Sequence, residues 1–228
     1  MNAPVQAIPN QGKALIHNKQ HKKHLLCECC EGKFSKFGED TICKELKKHN
    51  TFMLREKLGS LSSTENISNI ESLGIDYLSY AYFALSIIWR GSITRWNPDV
   101  DDIYDTLGDF EEPIRNYLLY RKEFPENVYI RIYINTNDIY ATGFGFPDRT
   151  VKILSKKKVV FYRFNAPGTL FQVMLRKKFK GRARAKYSVY SVPVSFEKKD
   201  FGNWSIYTEI LTSILEQKRV GRLAKMYE

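Results

Sequence analysis

The spacing of hydrophobic positions along this chain changes character once, near residue 127. Before that point the pattern is helical. Over residues 76–90, Tyr77, Tyr80, Ala81, Ala84, Leu85 and Ile88 recur at intervals of three and four, which predicts a helix. Phe83 and Ile87 occupy its other face, so this helix is expected to be buried nearly all round, with Asp76 as its N-terminal cap. A second helix is expected near residue 113, with Pro113 in its first turn and Ile114, Tyr117 and Leu118 on one face. After residue 127 the period becomes two. Residues 128–134 alternate and are rich in β-branched and aromatic side chains, which predicts a strand. Further strands are expected at 139–146, 150–154, 159–164, 168–175 and 187–194, separated by Gly143, Gly145, Pro147, Pro167 and Gly181. Residues 204–227 read as a closing amphipathic helix whose end carries Lys218, Arg219, Arg222 and Lys225.

Upstream of residue 76 the pattern is weaker. Residues 1–23 are polar and lead into a run holding His17, His21 and His24 among lysines, read as a loop or arm. Residues 25–58 hold every cysteine and a helix expected over about 41–52, and the Ser-, Thr- and Asn-rich stretch 60–69 reads as a linker. The expected fold class is α+β: a small N-terminal zinc module, then helices, a mostly antiparallel sheet and a C-terminal helix. The expected division is 1–58 for the module with its basic arm and 70–228 for the α+β domain.

Composition narrows the class. In 228 residues, 43% are hydrophobic and 14% aromatic, enough for a sizeable core rather than a disordered chain. No apolar run reaches the roughly 18–20 residues of a membrane span, and residues 1–10 lack the basic and apolar regions of a signal peptide. A soluble, cytoplasmic protein without a membrane partner is the expectation. The formal net charge of +11 predicts attraction to polyanions.

The cysteines follow the pattern Cys27-x2-Cys30-x12-Cys43-x5-His49. Clustered thiols without a secretion signal favour metal over disulfides. A C-x2-C turn can supply one corner of a zinc tetrahedron and a later Cys and His on a helix can close it, around a small core at Phe34. Such a closed site would be structural zinc. Cys29 opens other pairings, and His17, His21 or His24 could stand in for His49. The competing reading makes Cys43 a small buried hydrophobe and His49 a surface residue at a helix end.

The segment from Leu25 through Cys27, Cys30, Glu31, Phe34 and Ser35 to Glu39 resembles the LLCxxCExxFSxxE segment of bacterial HNH-like zinc proteins found in phage-defence gene neighbourhoods. Ser86, Trp89, Arg90 and Ser92 are similar to that family's lSxxWRxS segment. Leu107, Gly108, Glu112, Ile114, Arg115 and Leu118 are similar to LGxxExxIRxxLL. The likeness covers about residues 25–120. Its members carry an upstream C-x2-C pair and a histidine expected to act as general base, where this chain has no upstream cysteine and Gln6. Glutamine cannot activate water. The resemblance therefore implies a degenerate, non-catalytic relative working within an anti-phage defence system beside other proteins, with no catalytic residue assigned. An active metal-dependent endonuclease using a histidine of the 17–24 run is the alternative, and an adaptor for an effector enzyme is another.

Charge is most uneven between residues 149 and 186, which hold thirteen Lys or Arg and no Asp or Glu. Lys156, Lys157, Lys158, Arg176, Lys177, Lys178, Lys180, Arg182, Arg184 and Lys186 are the candidate contacts to DNA or RNA. Arg182, Arg184 and Lys186 alternate with alanines and so share a face of an extended segment. Tyr162, Phe164, Phe179 and Tyr187 are interleaved and could stack on bases. A cationic guard on a sheet edge, or a dock for an acidic protein, would use the same residues. Arg90 and Arg115 are expected to cap carbonyls or pair with carboxylates. Asp99, Asp101, Asp102 and Asp105 lack the glycine and final glutamate of an EF-hand and read as a solvated loop.

Overall fold

A computed structural model describes residues 5–8, 13–16, 25–46, 48, 51–59, 72–94, 103–137, 147–154, 157–176, 194–203 and 218–219. The fold is α+β. Glu28–Phe34 (α1), a π turn at Ser35–Glu39 and Asp40–Glu45 (α2) run end to end, followed by Met53–Lys57 (α3), Tyr77–Ile93 (α4) and Glu111–Tyr120 (α5). Strands Val128–Asn135 (β3), Asp148–Leu154 (β4), Lys157–Ala166 (β5), Thr169–Leu175 (β6) and Val194–Lys199 (β7) form a sheet in the order β4-β5-β6-β3-β7. Every neighbouring pair is antiparallel except β3 and β7. Val5–Ile8 (β1) and Lys13–Ile16 (β2) form an antiparallel hairpin, and β2 pairs in parallel with Lys218–Arg219 (β8). The N-terminal arm is thus a hairpin in part. At Lys218 and Arg219 the expected closing helix is a strand, while the remainder of 204–227 lies outside the described residues.

The long helix forms where its periodicity predicts. The Asp76 carboxylate accepts the Leu78 and Ser79 backbone N–H groups at 3.1 and 3.2 Å, and the Ser79 hydroxyl donates to it at 2.7 Å. Those bonds satisfy donors that a helix start otherwise leaves open. Burial nearly all round follows from position, because α4 lies between the sheet and the other helices. On one side Phe83 meets Phe164 and Phe171, with ring centroids 5.9 and 5.4 Å away. On the other Tyr82 meets Phe34, Phe37 and Tyr117 at 5.8–5.9 Å, and its hydroxyl donates to the Leu118 carbonyl at 2.7 Å. The expected α5 is also present, burying Ile114, Tyr117 and Leu118.

The cysteine region departs from expectation. In place of a turn followed by a helix over 41–52, one continuous rod spans Glu28 to Glu45. The Ser35 N–H closes on Glu31 and Gly32 carbonyls, and the Asp40 N–H reaches back five residues to Ser35, which carries the helix through the π turn. After Leu46 the chain turns through a bridge between Lys48 and Thr51. Phe34, Gly38, Ile42 and Leu46 recur every four residues and are all buried, so the rod presents one stripe to the core.

Gly38 makes that contact close. A Cβ there would stand 3.2 Å from the Phe83 Cα and N of α4, whereas a Cβ on Gly32 would meet nothing within 4 Å. Gly38→Ala is expected to lose about 1 kcal/mol net, since overpacking of about 1–3 kcal/mol exceeds a helix-propensity gain of about 1 kcal/mol. Gly32→Ala is expected to gain about 0.5–1 kcal/mol. Thermal melts should move in opposite directions by about 2–4 °C; equal shifts would remove the argument for close approach.

The sheet's inner face carries Val128, Ile130, Ile132 and Ile134 of β3, Phe171, Val173 and Leu175 of β6, and Tyr162 and Phe164 of β5, all buried. Part of its outer face is buried as well. Val159, Leu170, Tyr133 and Met174 are exposed by only 0, 1, 5 and 6%. One core extends from Phe34, Ile42 and Leu54 through Ile88 to Ile132 and Phe171, so residues 25–58 share a core with the expected second domain. The expected strands at 139–146 and 187–193 lie outside the described residues. No helix among the described residues is long and apolar enough to cross a membrane.

Candidate functional site

Cys27 stands at the N-cap of the rod, and its carbonyl accepts the N–H groups of Cys30 and Glu31 at 2.9 and 3.0 Å. Cys27 and Cys29 are exposed and Cys30 is half-buried. The Cys30 backbone N–H, then the Cys30 thiol, push the Cys27 thiol below its ordinary range, although the N–H does not close a full cap hydrogen bond. Cys30 is pushed up, first by its hydrogen bond to Cys27 and then by burial.

Cys43 lies in the last part of the same rod, exposed. It lies thirteen helical steps beyond Cys30, and at about 1.5 Å per step this is a span of roughly 20 Å. Two thiolates on one zinc ion are only about 4 Å apart. Among the described residues the expected ligands Cys27, Cys30 and Cys43 are not gathered at one point, because a continuous helix stands where the sequence reading placed a turn. His49, His17, His21 and His24 lie outside the described residues. Among the described residues no three His, Cys, Asp or Glu side chains gather as a metal group.

Cations surround the rod in structural roles. Arg90 donates to the Ser86 carbonyl at 3.3 Å, pairs with Glu39, reaches Glu31 at 3.9 Å and lies 5.2 Å over the Phe34 ring. Arg115 holds Glu112 with two bonds of 2.8 Å, an exposed pair rather than a substrate contact. Lys33 donates to the Leu119 carbonyl at 3.0 Å, tying the rod to α5. Arg121, left-handed at φ 55°, lies 4.2 Å over Phe37.

Sequence reading missed one polar cluster. Glu45 is only 7% exposed, accepts from the Tyr80 hydroxyl at 2.8 Å and pairs with Lys57, which also donates to the Gly74 carbonyl at 2.9 Å. Burial, with the neighbouring carboxylate second, pushes the Tyr80 hydroxyl far above the usual tyrosine range. The available signal was spacing: Glu45 falls three residues after Ile42, on the buried stripe of the rod.

The strand register gives the basic residues their positions. Val160 of β5 and Val128 of β3 both face Leu175 of β6. The β4–β5 turn, where Lys157 pairs with Leu154 and Lys158 with Ile153, lies just beyond that row. At this same end β6 finishes at Leu175 and the chain leaves through Arg176 toward Lys177 and Lys178. Sheet pairing thus brings the β4–β5 turn, with the Lys157 and Lys158 backbone, and the end of β6 to one end of the sheet. Arg176 itself departs from the expected surface role, since it is 8% exposed and its backbone N–H donates to the Asn127 carbonyl at 3.2 Å. The described backbone includes Lys157 and Lys158; Lys156, Lys177, Lys178, Lys180, Arg182, Arg184 and Lys186 lie outside the described residues.

Cations in the middle of the sheet are neutralised. Arg163 holds Asp148 through bonds of 3.1 and 3.2 Å and the Thr150 hydroxyl at 3.0 Å. Arg131 lies 3.2 Å from the Tyr133 hydroxyl and 3.9 Å from Glu197. Tyr162 and Phe164, expected to interleave with exposed cations, are in the core at 0 and 4% exposure. Their rings are unavailable to bases because even-numbered positions of β5 face the helices. No family model, curated protein or solved structure matches the chain.

Proposed function

We propose that this protein binds nucleic acid, without cutting it, at the basic end of its sheet. The observation that supports the reading most is the register that brings the β4–β5 turn, with Lys157 and Lys158, beside the exit of β6, from which the Lys177–Lys186 run follows. Residues 149–186 contain no Asp or Glu, and Arg163 pairs with Asp148, just before that stretch. Phosphates are the polyanions such a surface attracts with least dependence on sequence. The likeness of residues 25–120 to HNH-like zinc proteins of phage-defence neighbourhoods supports a place in an anti-phage system, and Gln6 at the position of the base histidine supports the non-catalytic reading.

A filter-binding series over salt tests it. Lys177, Lys178, Arg182 and Arg184 changed together to Gln should weaken binding to DNA and RNA alike. The slope of log affinity against log salt should become shallower by roughly three to four units on duplex DNA. Lys157→Gln with Lys158→Gln should act in the same direction by roughly one to two units, because both segments face the same ligand. Unchanged affinity and slope in folded variants would reject the reading, and cleavage of the probe with Mg²⁺ or Mn²⁺ would replace it with the nuclease.

A further inference from the structure

A second basic surface lies on the helix layer, where the rod meets the end of α5. Arg121 caps α5 in a left-handed conformation, φ 55°, that favours glycine. Its guanidinium lies 4.2 Å over the Phe37 ring, and the Lys36 ammonium lies 5.6 Å from the same ring. Both side chains and that of Lys122 are exposed. The structural roles at this place are already filled. Lys33 takes the Leu119 carbonyl near the helix C-terminus, and Arg115 takes the Glu112 carboxylate. Stacking fixes the Arg121 guanidinium but uses none of its N–H donors. Among the described residues Lys36, Arg121 and Lys122 pair with no carboxylate. Two like charges held at one ring repel each other until an anion lies between them, and backbone strain of this kind collects where a ligand is held. Beside them the Tyr120 ring is 58% exposed, with the Arg115 guanidinium 5.7 Å from its centroid.

We propose that this surface takes a single-stranded stretch of nucleic acid, with phosphates on Lys36, Arg121 and Lys122 and a base stacked on Tyr120. Cations interleaved with exposed rings match the alternation of phosphate and base along a single strand. An acidic peptide would use the cations and leave Tyr120 without a role, and a duplex keeps its bases paired and stacked away from the ring. The inference deepens the nucleic-acid reading of the sheet end and rests on it. Residues 121–127 join the two places: Arg121 follows α5, and the Asn127 carbonyl accepts the Arg176 N–H beside the start of β3. That segment spans at most about 25 Å, so one strand can lie on both. Glu123 and Glu126 are exposed on the segment, so the contacts are with the two basic places rather than with the loop between them.

Fluorescence anisotropy of the full chain tests it, with a labelled oligothymidylate and a duplex of the same length titrated over salt. Lys36→Gln, Arg121→Gln and Lys122→Gln together should make the salt slope on the single strand shallower by about two units. Tyr120→Ala should weaken single-strand binding about tenfold and leave duplex binding unchanged. Arg121→Gly should weaken it as well, yet melt at or above the parent temperature, because glycine suits the left-handed position. Circular dichroism confirms that each variant is folded. Unchanged single-strand binding in these variants, while the variant at Lys177, Lys178, Arg182 and Arg184 still loses affinity, would overturn this surface and leave the sheet end standing. A parent that binds neither probe would remove both. Labelled polyglutamate bound by the parent and lost by the triple variant, with the oligothymidylate unaffected, would assign the surface to an acidic protein instead. An Arg121→Gly variant that melts lower and binds as the parent would make Arg121 a prop for Phe37 and nothing more.

Discussion

Phe171→Ala should remove about 3–5 kcal/mol of stability, a large share of the roughly 5–15 kcal/mol that holds a domain folded. Phe171 has no exposed surface and lies where the two layers meet. Its ring stacks on Phe164 of the neighbouring strand at 4.7 Å and an interplanar angle of 3°. It meets Phe83 of α4 edge-on at 5.4 Å and lies 6.3 Å from Tyr80. Truncation loses the transfer free energy of the ring and leaves a cavity walled by a sheet and a buried helix, neither of which can move in to fill it. In urea the unfolding midpoint should fall by on the order of 1–3 M at an unchanged slope. A loss under about 1.5 kcal/mol would mean that α4 is not clamped to the sheet by these rings. Leu78→Ala, at a residue 52% exposed on the same helix, is the control and should stay within about 0.5 kcal/mol.

Lys57→Met is expected to destabilise by about 3 kcal/mol, because it strands a buried carboxylate. Among the described residues Glu45 would keep only the Tyr80 hydroxyl as a partner. Breaking a buried pair costs about 3–5 kcal/mol. The lower end applies here because the Lys57 side chain is 27% exposed and partly screened by solvent. The double variant Lys57→Met with Glu45→Leu should recover most of the loss, since replacing both partners removes the uncompensated charge. Tyr80→Phe alone should cost about 1–2 kcal/mol. Chemical denaturation of the three variants measures the cycle. A double variant as unstable as the sum of its parts would show that Glu45 and Lys57 do not act as a pair.

Much of the fold was legible because its signals are local. Asp76 precedes a helical run and caps it, and Val128 to Ile134 alternate and form a strand. The observed β4, β5 and β6 begin and end within about two residues of the expected runs. The rod was not legible for a local reason too. Gly32, Ser35, Gly38 and Asp40 are residues that interrupt helices in isolation, so the stretch reads as loop. Contact with α4 reverses that weighting at Gly38, where the absent side chain admits the Phe83 backbone. The distance from Cys30 to Cys43 was hidden with it, since spacing counts residues between ligands and carries nothing about the path between them.

By itself the sequence determined the α+β class, the buried helix, the strand runs and the concentration of positive charge, because periodicity and composition act on neighbouring residues. Tertiary structure alone decided which charges are spent and which thiols can meet. Arg163 is neutralised because β4 pairs with β5 in the register that sets Asp148 opposite it. Arg176 is buried where β6 leaves the sheet beside the start of β3. Cys43 is separated from Cys30 because the chain between them is a rigid helix rather than a turn. Each of these turns on a distance between parts of the chain, and such distances are set by hydrogen-bonded register and packing that no single stretch of sequence contains.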